Sequence, residues 1–292
     1  MKSKRNEYMV AAVLVTPFLI IYLVLFVYPI YNMIALSFTD APLIGSGHWI
    51  GLTNYIRLFK DTLFKTAVFN TAYFVVLTVI PTTLIGLGIA MMVNRLSGWL
   101  QSIVLAAFFL PYILPVSVVY LIWQWVLDLN FGIGQYVIEV FTGKPVNVLR
   151  NPAWLMPVAA FVTIWWTNGF NILLFIAGLR NISLDLYDAA ALDGANRWQQ
   201  FRLITWPLIW PVTALVLTIQ LILQLKIFDQ IYLFTLGGAI NPTMVLVQLI
   251  YRQAFQQNHG GYGATIAMAL FVIIVVFSVL QYQVLRARGM DA

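Results

Sequence analysis

The chain contains no cysteine, which excludes disulfides and thiolate metal sites and leaves the redox compartment open. Its two histidines, His48 and His259, stand far apart in sequence, and no H-E-x-x-H pattern occurs. No metal site is expected, and no nucleophile, base or metal constellation of an enzyme is present. A phosphate-cradling loop of the form G-x-x-x-x-G-K-[ST] is also missing: Gly143-Lys144 runs into Pro145, with no glycine five residues earlier. The chain is therefore not expected to hydrolyse ATP. Charge is scarce as well. Only 9% of the 292 residues are charged and 62% are hydrophobic, where a soluble domain carries about 25% charged residues. This composition predicts an integral membrane protein, and its long apolar runs predict that it is all-α. The net charge of +6 comes from residues scattered through short loops and the termini, which reads as orientation signals and not as a nucleic-acid surface.

What is abundant is apolar sequence in long runs. A helix needs about 20 apolar residues to cross the hydrocarbon core, and about six runs reach that length: Val10 to Leu36, Thr66 to Val93, Gln101 to Leu127, Ala153 to Ala177, Leu208 to Phe234 and Gly263 to Leu285. Several exceed the minimum, which predicts tilt or extension beyond the bilayer. Basic Lys2, Lys4 and Arg5 precede the first run, but it is too long for a signal core and lacks a small-residue cleavage site. It is expected to stay as the first span.

Orientation follows from the basic residues. The termini and the second and fourth loops hold Lys2, Lys4, Arg5, Arg95, Arg180, Arg197, Arg202, Arg286 and Arg288. The other loops are longer yet hold only Arg57, Lys60, Lys65, Lys144, Arg150 and Arg252. The positive-inside rule places both termini in the cytoplasm, together with the passage from Leu184 to Pro207.

That passage, LDLYDAAALDGANRWQQFRLITWP, is the one long polar stretch between two very hydrophobic blocks. Ser183 can cap a helix there, Asp185 and Asp188 suit its positive N-terminal end, and Gly194 stops it. Ala189, Ala190 and Ala191 give a surface that another protein's groove can approach closely. By its residues alone the passage fits equally an amphipathic helix resting on the membrane.

Polar residues at membrane depth are the clues to a path, because they cost free energy unless paired or facing a cavity. The fourth run carries Trp165, Asn168 and Asn171; the fifth carries Gln220, Gln224, Lys226 and Asp229. At about 100° per residue Gln220 and Gln224 share one helix face, while Lys226, Asp229 and Gln230 share another. Lys226 and Asp229 read as a pair, or as a lysine reaching for water. The glutamines, with Asn168 and Asn171 opposite, suit either a neutral polyhydroxylated ligand or hydrogen bonds between helices. Gly86, Gly88 and Ala90 in the second run predict a close helix interface. Pro111 and Pro115 in FFLPYILP predict a kink.

The spacing of Asp188-Ala189-Ala190, Gly194, Ile204 and Trp206-Pro207 resembles the EAA loop of ABC-importer permeases, with Asp188 where Glu is usual and Trp206 where Leu is usual. WIGLTNYIRLFKD in the first outer loop, and FDQIYLFTLGGAINPTMVLVQLIYRQAF after the fifth run, resemble segments of carbohydrate-uptake permeases of the maltose type. Ala239 stands where that family shows proline. The resemblance implies a type I ABC-importer transmembrane domain over 1–292, with a permease core over 66–287 and a cytoplasmic coupling loop over 184–207. It implies a multi-pass protein of a bacterial inner membrane, paired with a second permease subunit. Two ATP-binding cassette subunits, which would hold ATP and Mg, and an extracytoplasmic solute-binding protein that delivers a sugar complete the implied complex. Asp188, Ala189, Ala190, Asp193 and Gly194 would transmit ATP-driven motion, while Trp165, Asn168, Asn171, Gln220, Gln224 and Asp229 would line the substrate path. An ion-coupled secondary transporter, with Lys226 and Asp229 as a relay, is the alternative; the lack of a visible internal repeat counts against it.

Overall fold

The protein is described by a computed structural model covering residues 2–235 and 241–286, with side chains between 12 and 283. Of the residues whose sequence marks an outer turn, Gly237 and Gly238 lie outside the described residues, as does Ala239, while Asn241 and Pro242 open a short 3-10 turn over Asn241–Thr243. In chain order the helices are α1 (Lys2–Tyr22), α2 (Tyr28–Ser37), α3 (Thr53–Lys60), α4 (Thr62–Val93), α5 (Gly98–Ile113), α6 (Val116–Val126) and α7 (Ile133–Thr142). There follow α8 (Pro152–Arg180), α9 (Leu184–Leu192), α10 (Arg197–Gln200), α11 (Trp206–Leu225), α12 (Asp229–Phe234), α13 (Leu246–Tyr251) and α14 (Gly260–Arg286). Among the described residues five helical stretches are long and apolar enough to cross a membrane, and a sixth span forms if α5 and α6 count as one.

Proline shapes these spans. A wide π turn over Leu23–Val27 joins α1 to α2, and another over Phe201–Thr205 joins α10 to α11. Each ends two residues before a proline, Pro29 and Pro207. The proline ring crowds the carbonyl four residues back and supplies no N–H, so widening the preceding turn lets the helix continue. At Leu114-Pro115 the outcome is a break. Leu114 takes an extended conformation, as residues before proline do, and α5 and α6 meet at 99°. The expected kink is thus a full corner. Its freed carbonyl, Leu114 O, accepts a hydrogen bond from Trp166 Nε1 at 3.2 Å, which satisfies a backbone group that lipid cannot.

The fifth span departs from expectation at both ends. Its helix begins at Arg197 and stops at Leu225, and α12 starts separately at Asp229. Lys226 and Asp229 therefore share no helix face; both are exposed, and they form no ion pair with each other among the described residues. Ile227 and Ile231, buried at 2% and 0% exposure, bend the chain inward between and beyond them.

Two compact units emerge, 1–64 with 249–272, and 65–248 with 273–292. In the first, the loop after α2 is pinned by Asn54 Nδ2, which donates to the carbonyls of Ser37 (3.0 Å) and Thr39 (2.8 Å). Tyr262 OH donates to Asp61 at 2.6 Å, and the Arg57 guanidinium lies 4.1 Å over the Tyr262 ring. In the second unit one apolar core gathers Phe74, Tyr120, Leu155, Val162, Ile231 and Val245; another gathers Leu87, Ala90, Ile172, Phe175, Ile209 and Val216. The segment before α13 is tied to α4 by Asn70 Nδ2, which donates to the carbonyls of Pro242 and Met244, both at 2.8 Å.

Helices approach where side chains vanish. A Cβ on Gly86 would sit 2.7 Å from Asn168 Oδ1, and Ala90, one turn on, is fully buried, so α4 packs on α8 here. Gly88 faces open space. The predicted small-residue interface holds at Gly86 and Ala90 only.

Candidate functional site

Two places concentrate the residues singled out from sequence. The first is the segment around α9. Ser183 caps it: its hydroxyl accepts from the Asp185 N–H at 3.2 Å. The helix ends as a Schellman motif, in which the Gly194 N–H donates to Ala191 O (3.0 Å) and the Ala195 N–H to Ala190 O (2.9 Å). Gly194 has φ +82°, a conformation in which most side chains cost about 1–2 kcal/mol, so glycine belongs there.

Asp188, Ala189, Asp193 and Gly194 are exposed, and Ala190 is half-buried. Beside them stand apolar side chains that face outward, Leu184 at 75% exposure and Leu192 at 90%. A nine-residue helix gains little stability by itself, yet this one is held at both ends. Asn196 and Gln199 form a capping box that starts α10, with hydrogen bonds of 3.0 and 2.7 Å. The Tyr187 hydroxyl meets Thr205 Oγ1 at 2.9 Å, joining α9 to the π turn before α11. Tyr187 and Ile204 pack against the core that contains Ile176, Leu179 and Ile209. The arrangement is a short rigid helix with small and acidic groups outward and its back fastened to two spans, α8 and α11.

The Asn-x-x-Gln box was present in the sequence as a signature. The Tyr187–Thr205 contact was not, because nothing local links two residues eighteen apart. Tyr187→Phe is expected to cost about 1 kcal/mol of stability and to lower uptake several-fold by loosening α9. Thermal unfolding and uptake of the variant check this; wild-type values in both would show that the hydroxyl bond carries nothing.

The second place lies between α8 and α11. Gln224 Nε2 donates to Gln220 Oε1 at 3.0 Å, and Gln220 Nε2 donates to Asn171 Oδ1 at 3.0 Å. All three residues are buried, with Asn168 one turn away, also buried and against Gly86. Asn171 Nδ2, Asn168 Oδ1 and Thr82 Oγ1 find no partner among the described residues. The face shared by Gln220 and Gln224, and the pairing across to Asn171, are as the helical period predicts. Trp165 points elsewhere, half exposed and edge-on to Trp123 at 5.6 Å. Asp229 is exposed at the start of α12 and stands apart from the amides in sequence and helix. No cluster of three or more metal-ligating side chains occurs among the described residues.

Comparison with known families decides the class. The family described as "binding-protein-dependent transport system inner membrane component" matches residues 82–290. The chain belongs to this family. Among its relatives, the trehalose/maltose transport system permease protein MalF of Thermococcus litoralis is 29% identical over 98% of this chain and 97% of its own. The arabinooligosaccharides transport system permease protein AraP of Bacillus subtilis is 31% identical over 90% of this chain and 84% of its own. The resemblance to carbohydrate-uptake permeases is borne out by these relatives. In fold, the permease is similar to a chain of a crystallised bacterial ABC transporter involved in the import of alginate, an acidic polysaccharide. The match has a TM-score of 0.80 at 23% identity and covers 98% of both chains. The expected ABC-importer permease fold is thereby borne out, and this is a multi-pass inner-membrane component of a binding-protein-dependent system.

Proposed function

We propose that this permease is one of two membrane subunits of a bacterial ABC importer, and that it translocates a sugar or sugar derivative delivered by an extracytoplasmic binding protein. Two ATP-binding cassette subunits complete the complex and hold ATP and Mg; this chain supplies no hydrolytic site. The observation that carries the reading is the α9 surface. An exposed helix whose stop is rigid and whose back is hydrogen-bonded to a span transmits a push without unfolding. Asp188 accepts a hydrogen bond from the ATPase, Ala189 and Ala190 let the cleft close over the helix, and Asp193 with Gly194 form the turn that seats in it.

The buried amides supply the substrate path once the spans separate. Asn168, Asn171, Gln220 and Gln224 present donors and acceptors matched to sugar hydroxyls, and two of their polar atoms are unpartnered in the closed packing. Trp165 and Asp229 stand apart from these amides and belong to other stretches of the path, where Trp165 offers an aromatic face suited to a pyranose ring and Asp229 a polar group at the start of α12. Relatives named for maltose, arabinooligosaccharide and starch-product transport support the substrate class.

The test is uptake of labelled oligosaccharide by vesicles containing the complete complex. With internal ATP held constant, a protonophore is expected to leave the rate unchanged, and removal of ATP to abolish it. Collapse of uptake by the protonophore alone would favour an ion-coupled carrier.

A further inference from the structure

Two adjoining cavities, of about 300 and 270 Å³, open beside α9 and share Met91, Arg95, Tyr187, Gln200 and Thr205. Arg95 follows the end of α4, and Arg197 at the start of α10 lines the larger cavity. No carboxylate lines either cavity, and neither arginine has an ion-pair partner among the described residues. Two unpaired guanidinium groups on one small cavity repel each other, and a shared anion removes that repulsion.

The donors around them are specific in kind. Guanidinium forks match phosphate oxygens two at a time. Gln200 adds an amide, and the bonded pair of Tyr187 and Thr205 hydroxyls has one O–H left to give. Leu179, Ile182 and Leu184 also line the second cavity and give it apolar wall. A bare phosphate leaves most of this space empty, since the larger cavity alone reaches the low end of small-molecule pockets. The geometry points to a binding site for a phosphate ester, whose charged group lies between Arg95 and Arg197 and whose organic remainder lies along the apolar wall. The ester comes from a phospholipid headgroup or from a soluble phosphorylated compound; the chemistry at the arginines is the same. A ligand here bridges α4 to the segment around α9 and holds the two together. That consequence for coupling rests on the docking role proposed above, whereas the binding does not.

The experiment reads binding alone. The full chain, in its purified complex, is placed in nanodiscs of phosphatidylcholine with or without phosphatidylglycerol, and lipid retained after detergent release is identified by native mass spectrometry. In parallel the complex in phosphatidylcholine is titrated with glycerol 3-phosphate by calorimetry. Wild type is expected to retain phosphatidylglycerol in the first arm or to bind glycerol 3-phosphate in the second, and whichever occurs identifies the source. Arg95→Gln with Arg197→Gln is expected to weaken that binding about tenfold or more. Arg202→Gln, which removes an exposed arginine of the same segment that lines neither cavity, is expected to leave it unchanged. All the arginines are exposed, so the variants are expected to elute and unfold as wild type does. Absence of binding in both arms, undiminished binding by the double variant, or an equal loss in Arg202→Gln would each overturn the proposal.

Discussion

Gly194→Asp is expected to abolish uptake while leaving the permease folded in the membrane. The chain itself has room for a side chain there, since a Cβ on Gly194 meets no atom within 4 Å. What opposes the substitution is the positive φ of 82°, which aspartate tolerates better than most residues at a cost of about 1–2 kcal/mol. That is too little to unfold a protein of this size. The loss of transport comes from outside the chain: bulk and a further negative charge appear beside Asp188 and Asp193, on the turn that seats in the ATPase. Gly194→Asn has the same size and the same tolerance of this backbone but no charge, and is expected to keep part of the activity. Membrane content by immunoblot and uptake by labelled sugar separate the effects. Normal uptake by Gly194→Asp would remove the docking role from this turn.

The amide chain gives the second large effect. Gln220 stands in its middle, donating to Asn171 and accepting from Gln224. Gln220→Leu leaves the Asn171 Oδ1 and Gln224 Nε2 atoms buried without partners, and each buried group so stranded costs about 1–3 kcal/mol, less where lipid-facing alternatives exist. The variant is expected to unfold several degrees earlier and to transport poorly. Gln224→Ala removes only the end of the chain. It is expected to fold near normally and to change the KM or maximal rate of uptake, with the ATPase still attached. If Gln224→Ala instead lowers only the amount of protein, the glutamine holds helices together and touches no substrate. Unaltered stability in Gln220→Leu would show that the amide bonds hold nothing.

These two sites differ in how far the sequence exposed them. The α9 segment was readable almost residue by residue, because its determinants are local: Ser183 caps, Gly194 takes the left-handed turn, and both act within a few residues of where they stand. The facing of Gln220 and Gln224 toward Asn171 was readable as well, since the helical period fixes which residues share a side. The spans were readable because lipid demands about 20 apolar residues and admits little else. The end of the fifth span was not. No proline or glycine marks Lys226 to Phe228, and the break follows from long-range burial of Ile227 and Ile231, which hydropathy reads as a continuation. With the break, the face that joined Lys226 to Asp229 disappears. The corner at Pro115 was readable as a weakness but not as a 99° turn, because its stability depends on Trp166, fifty-two residues away, reaching the Leu114 carbonyl.

Coupling turns on one contact, between the exposed surface of α9 and an ATP-hydrolysing partner. Affinity purification of the chain from its native membrane, with identification of the proteins that accompany it and an ATPase assay of the complex, tests that contact most directly. An ATP-binding cassette subunit is expected to be recovered with the wild-type chain and lost with Gly194→Asp. Recovery of the chain alone, still able to drive uptake in liposomes from an ion gradient, would contradict this coupling.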